Sequence, residues 1–110
     1  MKKEKLTFEK FQKINKDRYN MYMRHIKTWS PLEWSACAAG ELGELCNYLK
    51  KIKRGSKKWN KITKKAVAHE IADTIAYLGL LASALDINMD EAIVEKFNIV
   101  SKRWKCPVRL

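Results

Sequence analysis

Residues 30–55 read SPLEWSACAAGELGELCNYLKKIKRG, and this stretch carries the signals of one complete helix. The opening Ser-Pro-Leu-Glu (30–33) supplies an N-cap hydroxyl, a proline suited to the first helical turn and a glutamate placed for a capping box. Gly55 can adopt the left-handed backbone that ends a helix. Apolar residues recur at helical spacing in between. The stretch therefore predicts a helix over about 31–54.

Similar signals divide the rest of the chain. Asn88, followed three residues later by Glu91, predicts another helix start. The predicted first, third and fourth helices span about 7–27, 63–85 and 89–104. The apolar stripe of the fourth comprises Ile93, Phe97, Val100 and Trp104. No run of apolar alternation indicates a strand, so we expect an all-α fold. Short connections favour an antiparallel four-helix bundle formed by the whole chain as one domain.

Two glutamates of the second helix fall where apolar residues are expected. At about 100° per residue, Glu41 lies inside the apolar face and Glu44 lies at its edge. The third helix repeats the arrangement 29 residues later, with Glu70 inside its apolar face and Asp73 at the edge. The face of the second helix comprises Trp34, Cys37, Ala38, Leu45, Tyr48 and Ile52, and that of the third comprises Val67, Thr74, Tyr77, Leu78 and Leu81. Both helices therefore direct a carboxylate pair towards the core.

Carboxylates in a core must be paired, protonated or bound to a cation. A solvated helix face would explain one E-x-x-E motif, but the apolar phase of both pairs argues against it. Buried Lys or Arg partners are the competing account, although the basic residues of the second helix cluster at its C-terminal end, about two turns from Glu44. A metal is the simpler neutraliser. Because every donor is a hard oxygen, we expect Mg²⁺, with Mn²⁺ as a substitute.

Charge and composition limit the partners. The 110 residues carry a formal net charge of +11, with 46% hydrophobic residues, which describes a soluble globular domain with an anionic partner. Composition does not choose among nucleic acid, a phosphate-rich small molecule and an acidic surface. The longest uncharged run is far shorter than a membrane span, and the N-terminus has no apolar signal core. We expect a cytoplasmic protein without a membrane partner.

The two acidic motifs resemble a known signature. GELGEL at 40–45 and HEIADTIAYL at 69–78 are similar to the metal-binding motifs of the MazG-like, all-α nucleoside triphosphate pyrophosphohydrolases, and 95–110 resembles the ending of small phage and bacterial members. The resemblance implies Mg²⁺-dependent hydrolysis of a (d)NTP to (d)NMP and pyrophosphate, by water attack between the α and β phosphates. It implies a MazG-like bundle completed by a homodimer or homotetramer. The implied metal-binding and catalytic residues are Glu41, Glu44, Glu70 and Asp73.

The resemblance also implies substrate-binding residues. Tyr77 matches a tyrosine that lies against the nucleotide in dCTP-directed relatives, and core packing is its alternative role. Lys96, Asn98 and Arg103 fall where the family places groups near the phosphates or sugar, although a solvated helix face would look the same. Trp29 is free to stack on a base, whereas Trp34 is expected to pack in the core.

One position departs from the family pattern. The broader motif is often E-E-x-x-E, and here its first position is Gly40, which favours the dCTP pyrophosphatase-like branch. The basic loop Lys57-Lys58-Trp59 either closes over a triphosphate or is simply solvated. Two alternatives stay open: a basic helical nucleic-acid-binding or regulatory protein, and a phosphoribosyl-ATP or dUTP hydrolase of the same fold. Because no helix-turn-helix, zinc or aromatic RNA motif is present, nucleic acid is not the expected partner.

Overall fold

The computed structural model describes residues 4–22 and 29–110, which form four α-helices and no strand. The helices are α1 (Phe8–Tyr22), α2 (Pro31–Lys53), α3 (Lys61–Ala84) and α4 (Met89–Arg103). The all-α prediction is confirmed. The last part of the predicted first helix, residues 23–27, lies outside the described residues. In the ranges described, no helix has the length and apolar content needed to cross a membrane.

The predicted start of α2 is confirmed. The Ser30 hydroxyl accepts a hydrogen bond from the Glu33 backbone N–H, and the Glu33 carboxylate accepts one from the Ser30 N–H, which completes the capping box. The end of α2 is also as predicted, because Gly55 has φ +83°. This backbone lets the Ser56 N–H donate to the carbonyl of Lys51 at 3.0 Å, which closes the last turn.

The start of α3 differs from the prediction by two residues. Asn60 is its N-cap, and the Asn60 Oδ1 accepts from the N–H groups of Ile62 and Thr63 at 2.9 and 3.1 Å. The Thr63 hydroxyl accepts from the Asn60 N–H at 2.8 Å. The basic loop is therefore shorter than predicted, because an asparagine and a threonine form the reciprocal cap that serine and glutamate form at α2.

The small core lies where α2 packs against α3. Trp34 of α2 is 3% exposed, as expected for a core tryptophan, and Leu80 of α3 is buried beside it. Three rings surround the Trp34 ring, with centroid distances of 4.9 Å (Trp29), 5.1 Å (Tyr19) and 6.2 Å (Tyr77). The connection over residues 54–60 makes α2 and α3 the two arms of a helical hairpin.

The helix α1 packs against α3 and α4, and several of its contacts are polar. Asn15 is its buried residue, and the Asn15 Nδ2 donates to the carbonyl of Ala76 on α3 at 2.8 Å. Gly79 lets the backbone of α3 come close to α1 here. A Cβ added to this glycine would lie only 3.3 Å from the Asn15 Nδ2. Gln12 fixes the α3–α4 turn, donating to the carbonyl of Ile87 at 2.7 Å and accepting from the Met89 N–H at 3.3 Å.

Much apolar surface remains uncovered in the single chain. We use the name leucine stripe for exposed residues at seven-residue spacing, which are Leu42 and Leu49 on α2, Ile71 and Leu78 on α3, and Leu85 at the C-cap of α3. Leu78 was expected in the core but is 40% exposed, and in the expected stripe of α4 Ile93, Phe97 and Trp104 are exposed as well. The radius of gyration is 16.8 Å, against about 13 Å for a compact domain of this length. No helix in the described part of the chain covers these residues.

Candidate metal centre

Three carboxylates meet between α2 and α3. Each of Glu41, Glu44 and Glu70 offers one carboxylate oxygen, and the three oxygens lie within 4.8 Å of one another. Glu41 and Glu44 are three residues apart on one face of α2, and the packing of α3 brings Glu70 to the same place. Glu41 and Glu70 are half-buried and Glu44 is exposed, in agreement with their helical phase. We call these three residues the carboxylate group.

One oxygen in the carboxylate group lacks a partner. The Glu70 Oε2 is buried and accepts no hydrogen bond in the described structure. The competing account, a buried Lys or Arg, finds no support in residues 4–22 and 29–110, where the one ion pair joins Lys10 to Glu4 at an exposed position. A buried carboxylate oxygen without a donor is costly. A hard divalent cation is the partner that a group of three carboxylates can bind.

The electrostatic environment opposes ionisation of Glu41. Its pKa is raised from 4.5 to about 7. Burial is the largest cause, followed by the Glu44 carboxylate, a hydrogen bond with Glu70 and the Asp73 carboxylate. Burial, and after it nearby anionic groups, also raises the pKa of Tyr77, so its hydroxyl is neutral at neutral pH. In the absence of a cation, this environment therefore favours the protonated form of Glu41, at the position where the metal is expected.

Asp73 lies at the border of the site. Its carboxylate is exposed and lies outside the three-oxygen group, although it contributes to the raised pKa of both Glu41 and Tyr77. Asp73 and Tyr77 line one side of a cavity of about 120 Å³ between α1 and α3. The structure thus brings three of the four predicted ligands together and places the fourth beside them, where it borders a separate space.

The opposite side of this cavity was not predicted. It is lined by Asn15, Arg18 and Tyr19 of α1, a helix in which the sequence indicated no site. A signal was present, since Asn15 continues the helical spacing of Phe8 and Phe11 and so places an amide on a face expected to be apolar. Arg18 lies one turn further along.

The predicted aromatic residues lie next to this region. Trp29 is half-buried and lines a second cavity, of about 230 Å³, together with Trp34 and Tyr19. Tyr19 and Leu80 line both cavities, so the two spaces adjoin. Tyr77 packs near Trp34 and also faces the first cavity, which means that core packing and a place at the site are compatible.

The predicted residues of α4 are placed differently. Lys96 and Arg103 are exposed, and the cavity beside Asp73 contains no residue of α4. The Asn98 side chain holds the end of the chain, because its Nδ2 donates to the carbonyl of Leu110 at 3.2 Å and its Oδ1 accepts from the Leu110 N–H at 2.9 Å. Within one chain these residues are not brought to the carboxylate group, and their substrate role stays a prediction.

The basic loop lies at the far end of α2. The Lys57 Nζ is 5.1 Å from the centre of the Tyr48 ring, which is a cation–π distance, and Trp59 is 56% exposed. Tyr48 is one helical turn beyond Glu44. The loop is therefore attached to the helix that carries the carboxylates, while most of its surface is solvated.

Comparison with known proteins adds no relative: no protein family matches the chain, and no curated protein is significantly similar to it. The resemblance to the MazG-like enzymes therefore depends on the sequence stretches 40–45, 69–78 and 95–110 alone.

Proposed function

We propose that this chain is a subunit of a Mg²⁺-dependent nucleoside triphosphate pyrophosphohydrolase, which converts a (d)NTP to (d)NMP and pyrophosphate. The observation that carries the proposal is the convergence of Glu41, Glu44 and Glu70, in which the buried Oε2 of Glu70 has no hydrogen-bond partner. The donor set fits Mg²⁺, because all its atoms are carboxylate oxygens and there are too few to fill an octahedral shell. The remaining positions suit water and phosphate oxygens.

In this proposal the three glutamates hold the metal and Asp73 adds negative charge beside them. A bound Mg²⁺ offsets phosphate charge and makes the attacking water more acidic. The water oxygen bonds to phosphorus, the anhydride bond between the α and β phosphates breaks, and pyrophosphate leaves. A glutamate oxygen that is not engaged by the metal accepts the proton of the water. The neutral Tyr77 hydroxyl, whose pKa is raised, is a hydrogen-bond donor at the edge of the substrate.

The proposed enzyme is a homo-oligomer with the MazG-like bundle completed between subunits. The support is the leucine stripe, which leaves large apolar side chains 40–50% exposed on both arms of the hairpin. Contiguous apolar surface of this kind marks interaction sites. Under the 29-residue shift Leu42 corresponds to Ile71 and Leu49 to Leu78, so both arms offer the same stripe to a second copy.

The test is pyrophosphate release from a panel of ribo- and deoxynucleoside triphosphates that includes dCTP and dUTP, together with phosphoribosyl-ATP. We expect release that requires Mg²⁺, stops with EDTA and falls at least a hundredfold in Glu41→Gln and Glu70→Gln. Glu4→Gln is the matched control, because it removes an exposed carboxylate of the Lys10 ion pair and nothing at the site.

Equal activity in all three variants would contradict the proposal. Salt-sensitive binding of DNA or RNA without pyrophosphate release, unchanged in Glu41→Gln, would instead favour the nucleic-acid-binding alternative.

A further inference from the structure

The cavity between α1 and α3 joins an acidic side to a basic one. Asp73 and Tyr77, at the border of the candidate metal centre, line it from α3, and Arg18 lines it from α1. Its volume is about 120 Å³, whereas pockets that enclose a whole drug-sized ligand are roughly 300–1,000 Å³. The cavity therefore suits one chemical group of a larger ligand.

Arg18 is held at this cavity by a residue anchored to the opposite helix. The Arg18 Nη2 donates to the Asn15 Oδ1 at 3.4 Å, and the Asn15 Nδ2 donates to the carbonyl of Ala76 at 2.8 Å. Because Asn15 is 4% exposed, its amide has little freedom to move. The guanidinium group has five N–H donors, and this contact uses one of them.

The guanidinium charge is not neutralised by the chain in the described residues. The ion pair found in residues 4–22 and 29–110 involves Lys10 and Glu4, so no carboxylate there pairs with Arg18, although Asp73 lines the same cavity. A planar cation with free donors is well suited to phosphate oxygens, which it can bind in pairs. A cation at this border would counter the phosphate charge that the metal leaves unbalanced.

We propose that Arg18 binds a phosphate oxygen of a phosphoanhydride whose neighbouring phosphate oxygens are bound at the carboxylate group. The ligand class is a pyrophosphate unit, either free or within a nucleoside triphosphate. This inference rests on the proposed function, because it assigns a second anchor to the same substrate. It gives α1 a part in the site as well as in packing.

The experiment compares Arg18→Gln with Lys13→Gln, which removes an exposed cation of α1 that does not line this cavity. Calorimetry measures binding of Mg²⁺ with inorganic pyrophosphate, of Mg²⁺ with a non-hydrolysable α,β-methylene nucleoside triphosphate, and of Mn²⁺ alone. Removing a charge-assisted contact should weaken both phosphate ligands about tenfold or more in Arg18→Gln. Affinity for Mn²⁺ alone should stay at the wild-type value, and Lys13→Gln should match the wild type throughout.

Three results would overturn the inference: Arg18→Gln and Lys13→Gln binding both phosphate ligands equally well, a loss confined to the nucleotide, or an equal loss for Mn²⁺ alone. The last result would show that Arg18 supports the fold. The two proposals fail separately. If the wild type releases no pyrophosphate from any nucleotide but Arg18→Gln still binds Mg²⁺ and pyrophosphate more weakly, the anion site stands and the proposed reaction does not.

Discussion

The carboxylate group and the leucine stripe occupy adjacent positions on the same two helices and have opposite environments. Glu41 and Glu70 are half-buried, while the next residues, Leu42 and Ile71, are 49% and 46% exposed. This reverses the usual distribution of charged and apolar residues. We propose different explanations for the two exceptions: a bound cation for the charges inside the hairpin, and a second copy of the chain for the apolar stripe outside it.

The largest expected effect tests how much of the stability lies in the hairpin core. Trp34→Ala should lower the free energy of unfolding by about 3–5 kcal/mol, because it removes the ring around which the core packs. Trp104→Ala at the end of α4, where the ring is 75% exposed, should change it by no more than about 0.5 kcal/mol. Denaturant titration of dilute protein gives both values, and similar losses would show that α4 contributes to the core.

The next effect tests the leucine stripe. Leu78→Asp should weaken self-association roughly a hundredfold, because it places an unpaired carboxylate in an apolar interface. Ile62→Asp is the control, since Ile62 is 79% exposed and lies on the other side of α3. Sedimentation equilibrium measures both constants. A wild-type chain that stays monomeric at high concentration would contradict the proposal that a second copy covers the leucine stripe.

A third prediction concerns the carboxylate group and pH. The pKa of Glu41 is raised from 4.5 to about 7 in the folded chain, so the folded state binds more protons than the unfolded state in this range. Its stabilising contribution is complete below pH 4.5 and is lost as the pH rises through about 7. In EDTA, raising the pH from 5.5 to 8 should lower the melting temperature more in the wild type than in Glu41→Gln. Identical slopes would mean that Glu41 ionises normally.

Metal and protons should compete for this site. Added Mg²⁺ should raise the melting temperature of the wild type more at pH 8 than at pH 5.5, because the cation replaces a proton. Glu41→Gln should lose most of this difference, and Glu4→Gln should keep it.

The smallest effects compare the helix starts. Asn60→Ala should cost about 1 kcal/mol, because the Asn60 side chain accepts hydrogen bonds from two backbone N–H groups, those of Ile62 and Thr63. Asn88→Ala should cost less, since the Asn88 side chain accepts from Glu91 alone at 3.1 Å. Thermal unfolding of both variants ranks them, and the reverse order would show that α4 is more tightly coupled to the fold than the hairpin.

The features that the sequence predicted well are local ones. The Ser30 capping box, the left-handed Gly55 and the phase of Glu41 and Glu70 depend on neighbours within one or two turns, so spacing alone was sufficient. The start of α3 was misjudged because Asn60 and Thr63 form a cap without the usual glutamate. Spacing also identifies apolar faces, but it does not say whether another helix of the chain covers them, as the exposed Leu78 shows.

The contribution of α1 could not be predicted in this way. Arg18 is held at the cavity beside Asp73 through a contact with Asn15 and through the packing of α1 on α3, which joins residues about sixty positions apart. No local pattern contains that information. The polar Asn15 on an otherwise apolar face was the one visible signal, and its meaning depends on a carbonyl of another helix.

Gly79 gives a final consequence. The helix α1 packs against the backbone of this glycine, and an added methyl group would come within 3.3 Å of the Asn15 amide. A side chain at this position would press on Asn15, the residue that holds Arg18 at the cavity it shares with Asp73. A position without a side chain therefore protects the contact that anchors Arg18.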